Sequence, residues 1–442
     1  MPNRLILSAI LLLCAHAAAS SASSQQTSLA ERISRAPDGV VRVQFASRPG
    51  TCGDGRDMIG YGHAFFMEGM QSFGGKWSAE QCVRGPVRVS LSVANGRVSA
   101  LRTSVGATWS GTSARVTDLG TVSAAEASAY FFGLVPQLEG RSKRERLLLP
   151  AVLADDPNAV PRLIGLARDG SRTQDMRRQA IQWIGLLGDA SVVPALVAFV
   201  RQNSPAVVRD DDDDDQGPGE DGIANSAIAA LSFVRDGAGV PALIDFARNG
   251  STSVKRSTVF WLGQSGDPRA IATLHTVIEN PRETDGVRAG AIFSLSHGNT
   301  IPAREFAYLR DLYPRLTSMR LKESILMGMS EDESNGSGWL IEKARDRSES
   351  IESRKKALFW AGQSKATRTK DIIAVYKGAQ ETSLREHAIF VLSQRDDEAA
   401  TNELLRIARE DNDKQMRGKA LFWLAQKDDP RVARLISDRV TR

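Results

Sequence analysis

Two periods of apolar residues divide this chain. Early on the spacing is two. Val40-Val41-Arg42-Val43-Gln44-Phe45, Val87-Arg88-Val89-Ser90-Leu91-Ser92-Val93 and Val98-Ser99-Ala100-Leu101-Arg102-Thr103 each alternate apolar with polar residues, the pattern of a half-buried strand. The last two flank Ala94-Asn95-Gly96-Arg97. Asn-Gly tolerates the two positive φ angles of a tight turn, which predicts a hairpin. A short helix is expected over residues 29–35. At Ser123 the spacing changes to helical, and Ser123 followed by Glu126 reads as a capping box opening a helix to about Glu139. The stretch from Cys52 to Gly75 is Gly-rich, with too little pattern to assign elements.

From residue 141 one unit recurs. Gln182-Trp183-Ile184-Gly185, Phe260-Trp261-Leu262-Gly263-Gln264, Phe359-Trp360-Ala361-Gly362-Gln363 and Phe422-Trp423-Leu424-Ala425-Gln426 are versions of one phrase. Aligned on its Trp, the units place Trp183, Ala230, Trp261, Ser294, Met327, Trp360, Val391 and Trp423 in one column. The interval is 31 to 33 residues, except for one of 47 that contains the six-Asp run from Asp210. An acidic loop insertion at 208–222 restores the register. Each unit reads as a first helix carrying the phrase, a Gly or Asp turn, and a second helix such as Val193-Pro194-Ala195-Leu196 or Val240-Pro241-Ala242-Leu243. Units of this length cannot bury an apolar face alone and must stack as a solenoid.

Val254-Lys255, Trp261-Leu262-Gly263 and Gly266-Asp267-Pro268 resemble the HEAT repeat, in the short variety of phycobilisome-lyase-like proteins. The whole layout is similar to a group of exported bacterial HEAT-repeat proteins. The resemblance implies a mostly α chain: a right-handed α-α superhelix of about nine helix pairs over 141–442, behind a linking helix at 123–140 and a small β-rich domain at 25–122. It also implies that the Trp column is core filler, since the family buries Ala there. It places the second helices on the concave face. It pairs the cations opening the first helices (Arg177, Lys255, Arg288, Arg354, Arg385, Arg417) with the turn acids Asp189, Asp267 and Asp428.

Arg4, an apolar run from Leu5 to Ala19 and a Ser-rich stretch after it read as a secretory signal peptide over 1–24, cut near Ala17 to Ala19. No later run is long and apolar enough to span a bilayer, so stable membrane insertion is not expected. Export leaves Cys52 and Cys82 in an oxidising compartment, where a disulfide stapling the core-poor β-rich segment is expected. The 442 residues carry 57 Lys and Arg against 52 Asp and Glu, a net charge of +5. This weak basic balance and the export signal argue against a nucleic-acid partner; a monomer is expected.

Because stacking turns columns into stripes, the columns supply the candidate sites. Arg168, Arg201, Arg248, Arg310, Arg345 and Arg409 recur near the ends of second helices. They complement helix macrodipoles singly, and as a cationic rail they would bind a protein or peptide with acidic groups. Phe260, Phe293, Phe359, Phe390 and Phe422 form a second column, read either as a packed ladder or as an exposed strip. The acidic insertion lacks the alternation and the Gly and Glu positions of a calcium loop. His63, His275, His297 and His387 have no metal-ligand spacing, Gly74-Gly75-Lys76-Trp77 is not a phosphate loop, and no catalytic or cofactor-binding pattern is read. The expected role is therefore a non-enzymatic interaction scaffold. The rival readings are an enzyme, lyase-like or with chemistry around Cys52, Asp54, Asp57 and His63, and a structural component of the envelope.

Overall fold

The computed structural model describes residues 27–56, 58–62, 64–67, 70–73, 82–106, 108–109, 115–139, 147–204, 222–297, 303–332, 335–427, 429 and 431–432, with backbone alone at 64–67 and 70–73. The expected signal peptide at 1–24 and the expected insertion at 208–222, apart from Gly222, lie outside them, as do Asp57, His63 and Asp428.

Helix α1 (Leu29–Ser34) opens the described chain with a full capping box between Ser28 and Glu31. Eight strands follow: β1 (Gly39–Phe45), β2 (Thr51–Gly53), β3 (Ile59–Tyr61), β4 (Ala64–Met67), β5 (Met70–Phe73), β6 (Val87–Ala94), β7 (Arg97–Val105) and β8 (Val116–Thr121). One sheet has the order β7-β6-β1-β8, antiparallel except for the parallel β1–β8 pair. The β6–β7 hairpin turns at Asn95 and Gly96, with φ of 52° and 68°, as the Asn-Gly pair predicts. The second sheet, β2-β3-β4-β5, is a meander of three- and four-residue strands. It occupies the Gly-rich stretch, where strands this short carry too few alternations to be read from sequence. Cys52 and Cys82 are disulfide-bonded with Cα atoms 5.2 Å apart, inside the range such a bond requires.

Helix α2 (Ala124–Leu138) packs on the apolar side of the first sheet, where Phe45 and Phe131 rings lie 5.9 Å apart. Ser123 caps it as expected. Glu126 does not reach back to close a capping box; its carboxylate accepts instead from the Leu29 N–H at the start of α1, 2.8 Å away. The β-rich segment is no bead on a string. Arg48 donates to the carbonyls of Val152, Ala154 and Asp156, and Phe45, Phe131 and Leu153 belong to one continuous core.

The solenoid begins with the atypical pair α3 (Leu149–Leu153) and α4 (Ala159–Arg168). First and second helices then alternate: α5 (Gln174–Leu187), α6 (Val193–Asn203), α7 (Ile223–Phe233), α8 (Val240–Asn249), α9 (Thr252–Gln264), α10 (Pro268–Glu279), α11 (Asp285–Ser296), α12 (Ala303–Leu312), α13 (Met319–Met329), α14 (Gly336–Arg345), α15 (Ile351–Gln363), α16 (Thr369–Gly378), α17 (Thr382–Ser393), α18 (Glu398–Glu410) and α19 (Lys414–Leu424). The protein is thus mostly helical, and α19 opens the ninth pair. Local chemistry sets the register. Thr173, Ser251, Thr284, Ser318 and Ser350 side chains cap first helices, and Pro194, Pro241 and Pro268 occupy first turns of second helices, where no N–H is required.

Packing corrects the Trp column. Only Trp183 of the four Trp residues is fully buried; Trp261, Trp360 and Trp423 are half-buried. The residue after each Trp, namely Ile184, Leu262, Ala361 and Leu424, takes the deep core position. Two of the Trp rings lie in the seam between adjacent first helices, where Trp261 sits edge-on to Phe233 at 5.4 Å and Trp423 is 5.2 Å from Phe390, whereas Trp183 meets Tyr61 of β3 at 6.1 Å. Where the seam is tightest the column is occupied by smaller residues. A Cβ on Gly185 would stand 2.4 Å from the Ala230 carbonyl oxygen, and one on Gly263 would stand 2.6 Å from Ser294 Cβ. Any side chain there would push two helices apart.

Candidate binding surfaces

The cation column opening the first helices is structural, but its partners differ from those implied by the repeat family. Arg177, Arg288 and Arg354 each donate Nε to a carbonyl ten residues back, at the end of the preceding second helix, on Ala167, Ile278 and Ala344. This satisfies acceptors that a helix end leaves open. The charges then reach forward to acids in the next connection between units: Lys255 to Glu283, Lys322 to Glu349, Arg354 to Glu381, and Arg385 to Asp411 and Asp413. The turn acids serve other partners. Asp189 accepts from the Ser191 N–H and lies 4.0 Å from the Arg235 guanidinium of the next unit, and Asp267 pairs with Arg269.

These contacts fix protonation. Burial alone would raise Asp411, but hydrogen bonds from the Tyr376 hydroxyl, the Asp413 N–H and Arg385 outweigh it and hold the carboxyl below its usual range. The Arg354 hydrogen bond does the same for Glu381. Burial lowers His387, with the Lys355 charge adding to the effect, and burial also lowers His297.

The two layers approach their neighbours differently. First helices meet at glycine and small residues, as at Gly185 on Ala230 and Gly263 on Ser294. Second helices connect through long side chains: Arg201 to Asp245 at 3.8 Å, Tyr308 to Glu279 at 3.2 Å, Lys377 to Glu403 at 3.7 Å. In a curved stack the closer-spaced layer lies inside, so the first helices form the inner face. This reverses the placement implied by the repeat family.

The Arg column therefore stands on the outer layer, at or near second-helix C-termini. Arg168, Arg201, Arg248, Arg345 and Arg409 are exposed; Arg310 is half-buried and paired with Asp332 at 3.1 Å. Arg201 has the weaker contact with Asp245. Among the described residues no ion pair engages Arg168, Arg248, Arg345 or Arg409.

On the inner layer the Phe column is partly open. Phe260, Phe293, Phe359 and Phe390 are half-buried, and Phe422 is 60% exposed. Phe359 and Phe390 stack almost parallel at 6.5 Å across one seam, so part of the column packs as a ladder while its outer edges stay accessible.

Of the proposed reactive cluster, Asp57 and His63 lie outside the described residues. Cys52 is held in the disulfide, and Asp54 accepts from the Arg56 and Met58 N–H groups in the β2–β3 connection. One site escaped the sequence reading. On the side of the first sheet turned away from the core, Arg42, Arg56, Arg102 and Trp109 line a cavity of about 300 Å³. The three strand arginines Arg42, Arg88 and Arg102 fall on polar phases of the alternating strands, but only the register shows that they meet.

The PBS lyase HEAT-like repeat pattern matches residues 254–280, the α9–α10 unit. No curated protein matches the chain in sequence. Among solved structures, human deoxyhypusine hydroxylase aligns at 20% identity over 55% of this chain and 93% of its own, with a TM-score of 0.26. The CpcE–CpcF complex of phycocyanin lyase from Nostoc sp. PCC7120 aligns at 13% identity over 60% of this chain and 94% of its own, with a TM-score of 0.28. Importin beta aligns at 13% identity over 68% of this chain and 45% of its own, with a TM-score of 0.30. No described helix is long and apolar enough to cross a membrane.

Proposed function

Because the chain is a HEAT-repeat protein, we propose that it is an exported, non-enzymatic scaffold that binds a protein or peptide partner along the inner, first-helix layer of its solenoid. The Phe column carries the reading. Phe260 and Phe293 on α9 and α11, and Phe359, Phe390 and Phe422 on α15, α17 and α19, recur with the repeat on one layer, interrupted at α13 by the buried Leu326, and two runs of partly open aromatic edges at the repeat interval suit an extended or helical ligand better than a compact one. The ion pairs Lys356–Glu323 and Lys355–Glu352 on α13 and α15 give this apolar strip a charged rim. The exposed outer arginines Arg168, Arg248, Arg345 and Arg409 are a second surface, suited to acidic groups on the same partner. The disulfide Cys52–Cys82 is compatible with export.

Crosslinked capture from the native envelope tests this with two paired variants. Phe359→Ser with Phe390→Ser is expected to lose the partner, whereas Arg248→Glu with Arg345→Glu is expected to retain it with altered salt dependence. Loss only in the charge-reversed protein moves the site to the outer layer. Unchanged capture in both overturns the proposal.

A further inference from the structure

Four arginines of the outer layer leave their helices in one direction, at the edge where the chain passes from a second helix to the next unit. Arg168, Arg248, Arg345 and Arg409 each follow a buried alanine (Ala167, Ala247, Ala344 and Ala408) and each stand five residues after a buried leucine (Leu163, Leu243, Leu340 and Leu404). The buried pair fixes how each helix is rotated on the core, so the residue after the alanine takes the same setting in all four. These arginines are exposed, and among the described residues none has an ion pair. Arg201 and Arg310 share the position but are held by Asp245 and Asp332. The acids of the same edge are already engaged. Asp169 and Asp346, directly after Arg168 and Arg345, are held by Arg172 and Lys343 together with the Ser171 and Ser348 hydroxyls. Glu283, Glu349, Glu381 and Asp411 are taken by cations of first helices. Among the described residues, Asp311 and Glu410 are the exposed acids of this edge outside such pairs, whereas Arg282 and Arg347, exposed in the connections after α10 and α14, add to the unpaired arginines. The edge is therefore cationic, although the chain as a whole is close to balance at +5.

The four arginines stand on the first, third, sixth and eighth units, in steps of two, three and two. Packed helices are about 8 to 10 Å apart, so neighbours in this column are roughly 20 to 30 Å from one another and the set spans roughly 70 Å. Those gaps exceed the screening length of about 8 Å at physiological salt, so each guanidinium makes its own contact. A small anion reaches one of them, and a polymer reaches all. An extended polypeptide advances about 3.3 Å per residue, so roughly 20 residues cover the set. Its carboxylates sit on rotatable side chains that can turn to each guanidinium fork, whereas a carboxylate fixed to a sugar ring faces where the twist of its polymer sends it. We propose that this edge binds an extended acidic segment of a partner protein, with Asp or Glu carboxylates forked onto Arg168, Arg248, Arg345 and Arg409. The inference rests on the outer surface of the proposed scaffold and not on its Phe strip.

The test measures the anisotropy of fluorescein-labelled glutamate peptides of about 20 and about 5 residues on the full chain, whose own six-Asp run from Asp210 is present as a competitor throughout. The long peptide is expected to bind saturably and to weaken as salt rises, and the short one, which reaches along less than one step of the column, to bind at least tenfold more weakly. Combining Arg168→Gln, Arg248→Gln, Arg345→Gln and Arg409→Gln should weaken the long peptide at least tenfold with the melting temperature unchanged, because these side chains are exposed. A charge-matched control combining Arg97→Gln, Arg115→Gln, Lys365→Gln and Lys370→Gln, all exposed and away from this edge, should keep the native affinity. The protein with Phe359→Ser and Phe390→Ser should also bind the peptide as the native chain does, so failure here and failure of the inner strip are read separately. The proposal is overturned if the long peptide does not bind, if the control or the Phe variant loses it equally, or if polygalacturonate binds as tightly at equal charge, which would assign the edge to an anionic polysaccharide.

Discussion

The first and second helices alternate along one chain with one period, yet they stack on their neighbours by different physics. First helices touch through glycine, alanine and serine, with Gly185 against Ala230 and Gly263 against Ser294. Second helices keep their distance and join through pairs such as Arg201–Asp245 and Tyr308–Glu279. Close backbone contact leaves one layer no slack, while long polar side chains let the other fan out. A solenoid thereby acquires a curved inner face, and the aromatic column lies on it, whereas the exposed arginines lie on the wider layer.

The largest expected effect concerns how the seam of the tight layer is filled. Trp183→Ala empties a buried site that also meets Tyr61, 6.1 Å away, and should cost about 3 to 5 kcal/mol. Trp423→Ala, at a half-buried seam position, should cost clearly less. Chemical denaturation of both proteins checks the ranking, and equal losses would show that the seam is uniform along the layer.

Glycine substitution compares the layers directly. Gly185→Ala forces a Cβ against the Ala230 backbone and should destabilise by about 1 to 3 kcal/mol. Gly165→Ala in α4 meets nothing within 4 Å and removes a flexible residue from a helix interior, so it should stabilise by roughly 0.5 to 1 kcal/mol. The same sign in both would remove the distinction between the layers.

The smallest effect is in pH. His387, on α17 in the inner layer, has its pKa lowered in the fold, mainly by burial. Below its ordinary value near 6.5 the unfolded chain takes up a proton that the folded one resists, so stability is full above that value and falls as the pH drops through it. His297 acts in the same direction. Glu381 and Asp411, lowered in the fold, add a further loss below the ordinary carboxylate range. Melting temperature should decline from pH 7 to pH 5, and His387→Gln should make that decline shallower. An unchanged slope in the variant would show that this site does not couple to unfolding.

Much of the fold was legible because its signals are local. A two-residue alternation around Asn95-Gly96 specified the hairpin, Ser123 specified the start of α2, and the recurrence from Trp183 to Trp423 specified a stack. Less of the sites was legible. Glu126 has the spacing of a capping box, yet its carboxylate serves the start of α1, because the tertiary fold brings a second open N–H within reach. The cations of the first helices were recognisable as structural, but their acids sit in the next connection, a choice made by the rise from one unit to the next.

The sequence by itself determined the repeat, the helical class, the hairpin and the pairing of Cys52 with Cys82, since each follows from periodicity, turn chemistry or the single pair of cysteines beyond the N-terminal apolar run. Only the tertiary structure decided which layer lies inside, how deeply each Trp is buried, and that Arg42, Ser90 and Arg102 share one row. Those depend on the approach of segments far apart in the chain. Strand register and helix spacing are set by the balance of packing across the whole stack, and no local window of residues contains that balance.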